Sequence, residues 1–143
     1  PHVAILAGDV SLIKTYELLL QTPPEIAPII LRKFNQVASE ICEGQTRDMN
    51  FETRKKISEE EYIQMVRGKT AVLLGFALEL GAMLAGSDED DALELKNFGI
   101  QMGIAFQLQD DLLDVYGKEE SLGKRIGGDI VANKKTFLLI KAR

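Results

Sequence analysis

Apolar residues recur every three or four positions along almost the whole chain, and no stretch alternates with period two for long enough to form a strand. The pattern predicts an all-α protein of about five helices. The first runs from about Val3 to Leu20, where the Pro23-Pro24 pair breaks it and can open the next at its first turn. In the second, Ile26, Ile30, Phe34, Val37 and Ile41 form a stripe that continues into Gln45 and Asp48, so polar groups take over positions that should face a core. A capping box at Ser58 and Glu61 starts a third helix that should end near Gly86. Ser87 followed by Asp90 should cap a fourth, reaching Tyr116 with Gly117 as terminator. A loop rich in Gly and Lys spans 117–128, and a fifth helix should begin near Asp129 and continue to the end of the chain.

The pattern breaks in three places, and each break is chemically informative. At about 100° per residue, Gln107, Asp110, Asp111 and Asp114 fall within one sector of the fourth helix roughly 100° wide. These carboxylates sit in the last turns, where the helix macrodipole and like charges at i,i+4 both oppose them. Helix stability does not select this arrangement, whereas an offsetting cation explains it. Oxygen donors without His or Cys nearby suit magnesium or calcium. A solvated acidic helix end is the competing reading, but Phe106, Leu108, Leu112 and Leu113 are interleaved with the acids and point to adjacent packing.

The second break is Lys69, which falls between Met65 or Val66 and Leu73 on the third helix's apolar stripe and so needs either a partner or a route to solvent. The third is Gln45 with Asp48, which could equally fix helix register as a satisfied polar pair. Together, three helices that each admit polar groups on an inward face describe a polar-lined cavity in a helical bundle. Lys124, Arg125, Lys134 and Lys135, set among glycines downstream, suit phosphate oxygens.

Composition narrows the candidate ligands. The 143 residues are 45% hydrophobic and 27% charged, values that suit one globular domain with a core. A formal net charge of −5 argues against general nucleic-acid binding. The single Cys42 and single His2 exclude an internal disulfide and a His/Cys zinc cluster, and a reducing, cytoplasmic setting fits. No apolar run reaches the roughly 20 residues of a membrane-spanning helix. The chain lacks an initiating Met and stops within an apolar helical pattern, so it reads as a segment of something longer.

The segment Phe106 to Asp114, with the sequence FQLQDDLLD, resembles the second aspartate-rich motif of the trans-isoprenyl diphosphate synthases, the polyprenyl synthetase family. Gly44 to Asp48 is similar to that family's GQxxD segment, Lys69-Thr70 to its KT pair, and Ala7-Gly8-Asp9 to its GD helix. Gly123-Lys124 through Asn133-Lys134-Lys135-Thr136 is similar to its GKxxGxD…KxT segment. These matches follow family order across essentially the whole chain. The resemblance implies an all-α bundle around a deep cavity, usually dimeric, with residues 1–143 forming part of a single isoprenoid-synthase domain. It also implies that the first aspartate-rich motif, its neighbouring isopentenyl diphosphate site and the final helices lie outside this chain.

The resemblance further implies magnesium as cofactor, held directly by Asp110 and directly or through water by Asp111 and Asp114. Lys69, Gln107, Lys124 and Lys134 would grip an allylic diphosphate, Gln45 and Asp48 would order the neighbouring network, and Thr70 would assist near the reacting carbon. The implied activity is condensation of that allylic diphosphate with isopentenyl diphosphate in a homodimer, with the present segment inactive alone. A terpene cyclase shares the fold but usually carries an NSE- or DTE-type second motif. A head-to-head synthase of the squalene type keeps two acidic motifs, but this chain shows no resemblance to its other segments, and the GKxxGGD and KKT loop favours elongation. A non-catalytic subunit of a heteromeric synthase would tend to lose the second motif that this chain retains.

Overall fold

A computed structural model describes residues 2–117, 126–132 and 134–142 and divides the chain into two compact units, residues 1–36 and 37–143. Every regular element among the described residues is helical. The first unit holds α1 (His2–Leu19) and the start of α2 (Ala27–Thr53). Within it, Tyr16 packs edge-on against Phe34 at 5.2 Å between ring centroids and donates its hydroxyl to Asn35. Leu19, Ala27, Ile30 and Phe34 are buried, while Val3, Ile5, Leu6 and Val10 on α1 are exposed.

The second unit comprises the rest of α2, then α3 (Glu59–Val66), a π-helical turn (Arg67–Ala71), α4 (Val72–Leu84), α5 (Glu89–Tyr116), α6 (Gly128–Val131) and α7 (Phe137–Lys141). The capping box forms as the sequence predicts: Ser58 accepts from the Glu61 N–H, and the Glu61 carboxylate accepts from the Ser58 N–H. Phe51, Tyr62, Met65 and Val66 form a buried cluster, against which Ile57, Leu108, Phe137 and Ile140 pack. Each such side chain contributes about 1.5–3 kcal/mol through removal from water.

Three boundaries differ from the sequence reading. The expected third helix is interrupted by the π turn, whose extra residue appears as a Val72 N–H bonded back to the Arg67 carbonyl. Burial therefore resumes at Ala71 and Val72, and Leu73, expected on the inner stripe, is exposed. At the next boundary the cap is Asp88, whose carboxylate accepts from the Asp91 N–H. Ser87 cannot serve, because its own N–H still closes the end of α4 onto the Ala82 carbonyl beside Gly86 at φ +80°. The expected fifth helix is two short ones: Thr136 is extended and caps α7 through Leu139, so Lys134 and Lys135 sit on non-helical backbone.

The packing of α2 against the π turn depends on Gly44. A Cβ there would lie 2.3 Å from the Lys69 N and 2.7 Å from the Gly68 carbonyl carbon, so only a residue without a side chain lets the two backbones meet. Gly103 does the same between α5 and Ala71, where a Cβ would fall 2.6 Å from the Ala71 Cα. Gly44→Ala is expected to lower stability by about 1–3 kcal/mol or more, because rigid backbone must move. Gly81→Ala, in an α4 site with open space around it, should instead be neutral or stabilising by up to about 1 kcal/mol. Chemical denaturation of both variants checks this; equal losses would show that the helix contact is not what Gly44 provides.

Candidate functional site

One pocket in the second unit gathers Asp48 from α2, Tyr62, Met65 and Val66 from α3, and Lys69 and Thr70 from the π turn. Gln107, Asp110 and Asp111 from α5 and Asp129, Lys134, Lys135 and Thr136 from the C-terminal segment complete the lining. The π turn explains how two successive residues serve one cavity, since its wider turn aims both Lys69 and Thr70 inward. Against this turn α2 is brought by the Gly44 contact. Asp48 lies one helical turn beyond it and accepts from the Lys69 ammonium at 2.5 Å, with both side chains partly exposed.

The three motif aspartates have different surroundings. Asp110 is half-buried and lines the pocket. Asp111, only 3% exposed, accepts from the Tyr62 hydroxyl at 2.5 Å, the Phe137 N–H at 3.0 Å and the Gln107 amide at 3.2 Å. Asp114, also 3% exposed, is outside the lining: its carboxylate accepts from the Asp129 N–H at 3.1 Å, and its carbonyl from the Gly127 N–H at 2.7 Å. The resemblance implies a magnesium role for all three, directly or through water, and the structure gives each a different setting. Among the described residues no three Asp, Glu, His or Cys side chains form a group that could hold a metal ion, and Asp111 and Asp114 accept N–H groups of the C-terminal segment.

The donor set nevertheless fits magnesium in kind. All the pocket's anionic groups are carboxylates, with no His or Cys among them, and magnesium is commonly held by one or two carboxylates plus water and substrate phosphate. Of the other expected residues, Gln107 bridges Thr70, at 3.5 Å, and Asp111. Lys134 pairs with Asp129 at 2.6 Å, which raises the lysine's pKa above its ordinary value through that hydrogen bond. Gln45 is exposed and is not part of the pocket lining, and Lys124 lies outside the described residues.

The sequence reading did not single out Tyr62, Asp129 or Thr136 as site residues. Tyr62 follows the capping box one turn ahead of Met65 and Val66, where an apolar stripe reads it as core. Its hydroxyl was the available signal, since a buried Tyr O–H needs an acceptor. Burial and the Asp111 carboxylate both push the Tyr62 pKa far above that of an ordinary phenol.

The polyprenyl synthetase family model matches residues 1–143. A geranylgeranyl pyrophosphate synthase of Geoglobus acetivorans is 47% identical over 141 residues, covering 97% of this chain and 44% of that protein. A crystal structure of a geranylgeranyl pyrophosphate synthase superposes with a TM-score of 0.92 at 45% identity, covering 96% of this chain and 42% of the other. A polyprenyl synthase of Caulobacter crescentus, crystallised with calcium and isoprenyl diphosphate, gives 0.89 at 32% identity over 99% of this chain and 42% of its own. The chain thus spans less than half the length of these relatives. No helix among the described residues is long and apolar enough to cross a membrane.

The displaced phenol pKa has a consequence in alkali. A pKa raised on folding stabilises the native state below the unfolded value, near pH 10 for tyrosine, and this contribution is lost as pH rises beyond it. Of the three tyrosines, Tyr62 should ionise only as the chain unfolds. In a near-ultraviolet alkaline titration, one phenolate should appear together with loss of helical circular dichroism, and Tyr62→Phe should delete that phase. Ionisation of all three before unfolding would contradict it.

Proposed function

The chain belongs to the polyprenyl synthetase family, and from that premise we propose that it is part of a trans-isoprenyl diphosphate synthase condensing an allylic diphosphate with isopentenyl diphosphate. The observation that carries this reading is the pocket itself. Asp48, Lys69, Thr70, Gln107, Asp110 and Lys134, separated by up to 86 positions in sequence, line one cavity in which lysines alternate with carboxylates. Such a lining suits a polyanion that arrives with divalent cations. The relative from Caulobacter, crystallised with calcium and isoprenyl diphosphate, supports the same chemistry.

In this reading Lys69 and Lys134 exchange their carboxylate partners for diphosphate oxygens as the substrate enters, and Lys124 joins them as the family motif implies. Their charges act as the allylic C–O bond breaks and negative charge collects on the departing diphosphate. Gln107 orients the polar wall through Thr70 and Asp111. Magnesium bound at Asp110 would supply Lewis-acid stabilisation of the same leaving group. The double bond of isopentenyl diphosphate then attacks the allylic cation, and loss of a proton gives the longer prenyl diphosphate. The site for isopentenyl diphosphate belongs, on the family pattern, to the part of the enzyme beyond this chain. A homodimer forms part of the proposal, supported by Phe98, Met102 and Phe106, which are exposed at helical spacing along α5.

In the full-length protein Asp110→Ala should lower turnover by at least about 10²-fold at saturating magnesium, because an interaction made in the transition state is lost. Lys69→Ala should also lower turnover; a fall in melting temperature with activity intact would reduce Lys69 to a structural partner of Asp48. The product assay supplies allylic diphosphate, labelled isopentenyl diphosphate and magnesium. The 143-residue chain assayed alone should give no prenyl product, since only one side of the diphosphate clamp is present. Robust product from it would overturn the placement of the site.

A further inference from the structure

Asp111 lies at the junction of three elements. From α5 its carboxylate receives the Tyr62 hydroxyl of α3 and the first N–H of α7, both on Oδ2, while Oδ1 receives Gln107. The Tyr62 ring also packs on Phe137, with centroids 5.9 Å apart. Phe137 directly follows Lys134, Lys135 and Thr136, which line the pocket. Where this basic segment enters the cavity is thus set by one buried carboxylate. A buried carboxylate keeps its orientation only while its oxygens have donors.

We propose that Tyr62 is a positioning residue of the pocket: its hydroxyl fixes Asp111 as the anchor of the Phe137 N–H and so sets the place of Lys134, Lys135 and Thr136. This assignment rests on the reading that the pocket takes a diphosphate. It gives Asp111 a positioning task beside the metal role that the resemblance implies, carried by hydrogen bonds from three helices. Without the hydroxyl, Asp111 retains one main-chain and one amide donor, and the Phe137 N–H loses its fixed acceptor.

The test compares Tyr62→Phe, Asp111→Asn and the double variant in the full-length protein, with Phe51→Leu as a control from the same buried cluster but outside the pocket lining. Tyr62→Phe should raise KM for the allylic diphosphate about tenfold, as expected for one lost charged hydrogen bond. The magnesium concentration for half-maximal rate should stay unchanged in Tyr62→Phe, and the double variant should be no worse than Asp111→Asn. Phe51→Leu should lose stability without a change in KM. The Phe137 amide should exchange with solvent faster in Tyr62→Phe, as should its affinity for inorganic diphosphate fall in calorimetry; both readouts remain if the protein makes no prenyl product. Unchanged KM and exchange in Tyr62→Phe, additive effects of the two substitutions, or a KM rise of the same size in Phe51→Leu would each overturn the proposal. So would a several-fold higher magnesium requirement in Tyr62→Phe, which would make the hydroxyl's effect one on the metal rather than on the basic segment.

Discussion

The second unit depends on a carboxylate kept out of water. Asp111 is almost fully buried yet accepts from a phenol, a main-chain N–H and an amide. Burying a charge without partners is far too costly for a domain of ordinary stability, whereas a carboxylate with several well-placed donors retains its charge and gains directional bonds. The three donors come from α3, α5 and α7, so satisfying one residue fixes where three helices meet. The apolar contacts of Phe137 and Ile140 with the cluster around Tyr62 and Val66 attach α7 to this wall, but they do not fix its register; the hydrogen bond to Phe137 does.

A steric constraint complements this polar one on the opposite side of the pocket. Gly44 lets α2 reach the backbone of Gly68 and Lys69, and the π turn at that point rotates Lys69 and Thr70 together toward α5. Insertion of one residue into a helix weakens its hydrogen-bond geometry, and such turns are frequent at functional sites. Here the result is that a lysine on an apolar stripe neither snorkels away nor lies unpaired. It meets Asp48 across a helix contact too close for any side chain at position 44.

Helix content and most of the pocket were legible in the sequence because both rest on periodicity and residue chemistry. The sector on α5, the lysine on the third helix's stripe and the polar continuation of α2 each broke a pattern, and the fold brings Asp48, Lys69, Thr70, Gln107, Asp110 and Lys134 into one cavity. What could not be read was set by interactions between elements. The π turn shifts burial from Leu73 to Val72 because tertiary contacts stabilise it, and nothing in Arg67–Ala71 signals an added residue. The continuous fifth helix failed for a similar reason: Asp111 and Asp114 are acceptors for the Phe137 and Asp129 N–H groups, and these long-range bonds favour two short helices. Helical spacing from Ile41 identifies a face, not how far along it the cavity extends, and Gln45 lies outside the lining.

Charge balance explains why lysines and carboxylates are interleaved rather than segregated. Among the described residues the pocket is lined by four aspartates and three lysines, so without ligand it is close to neutral and slightly negative. On the proposed reading, a diphosphate entering alone would approach the carboxylates of Asp110 and Asp111, and repulsion between unit charges a few ångströms apart reaches several kcal/mol at protein interior polarity. Entry together with divalent cations would reverse that sign, because each cation would offset carboxylate and phosphate at once. The pairs Lys69–Asp48 and Lys134–Asp129 serve the same end. They hold each ammonium near the cavity without leaving it uncompensated, and both lysines remain exposed enough to change partners at little desolvation cost. A site made only of lysines would hold a polyanion tightly and release it slowly. One made only of aspartates would need every cation from solution. On the proposed reading, interleaving keeps the empty pocket near neutrality and leaves it able to take metal and diphosphate together, with their opposite charges offsetting each other.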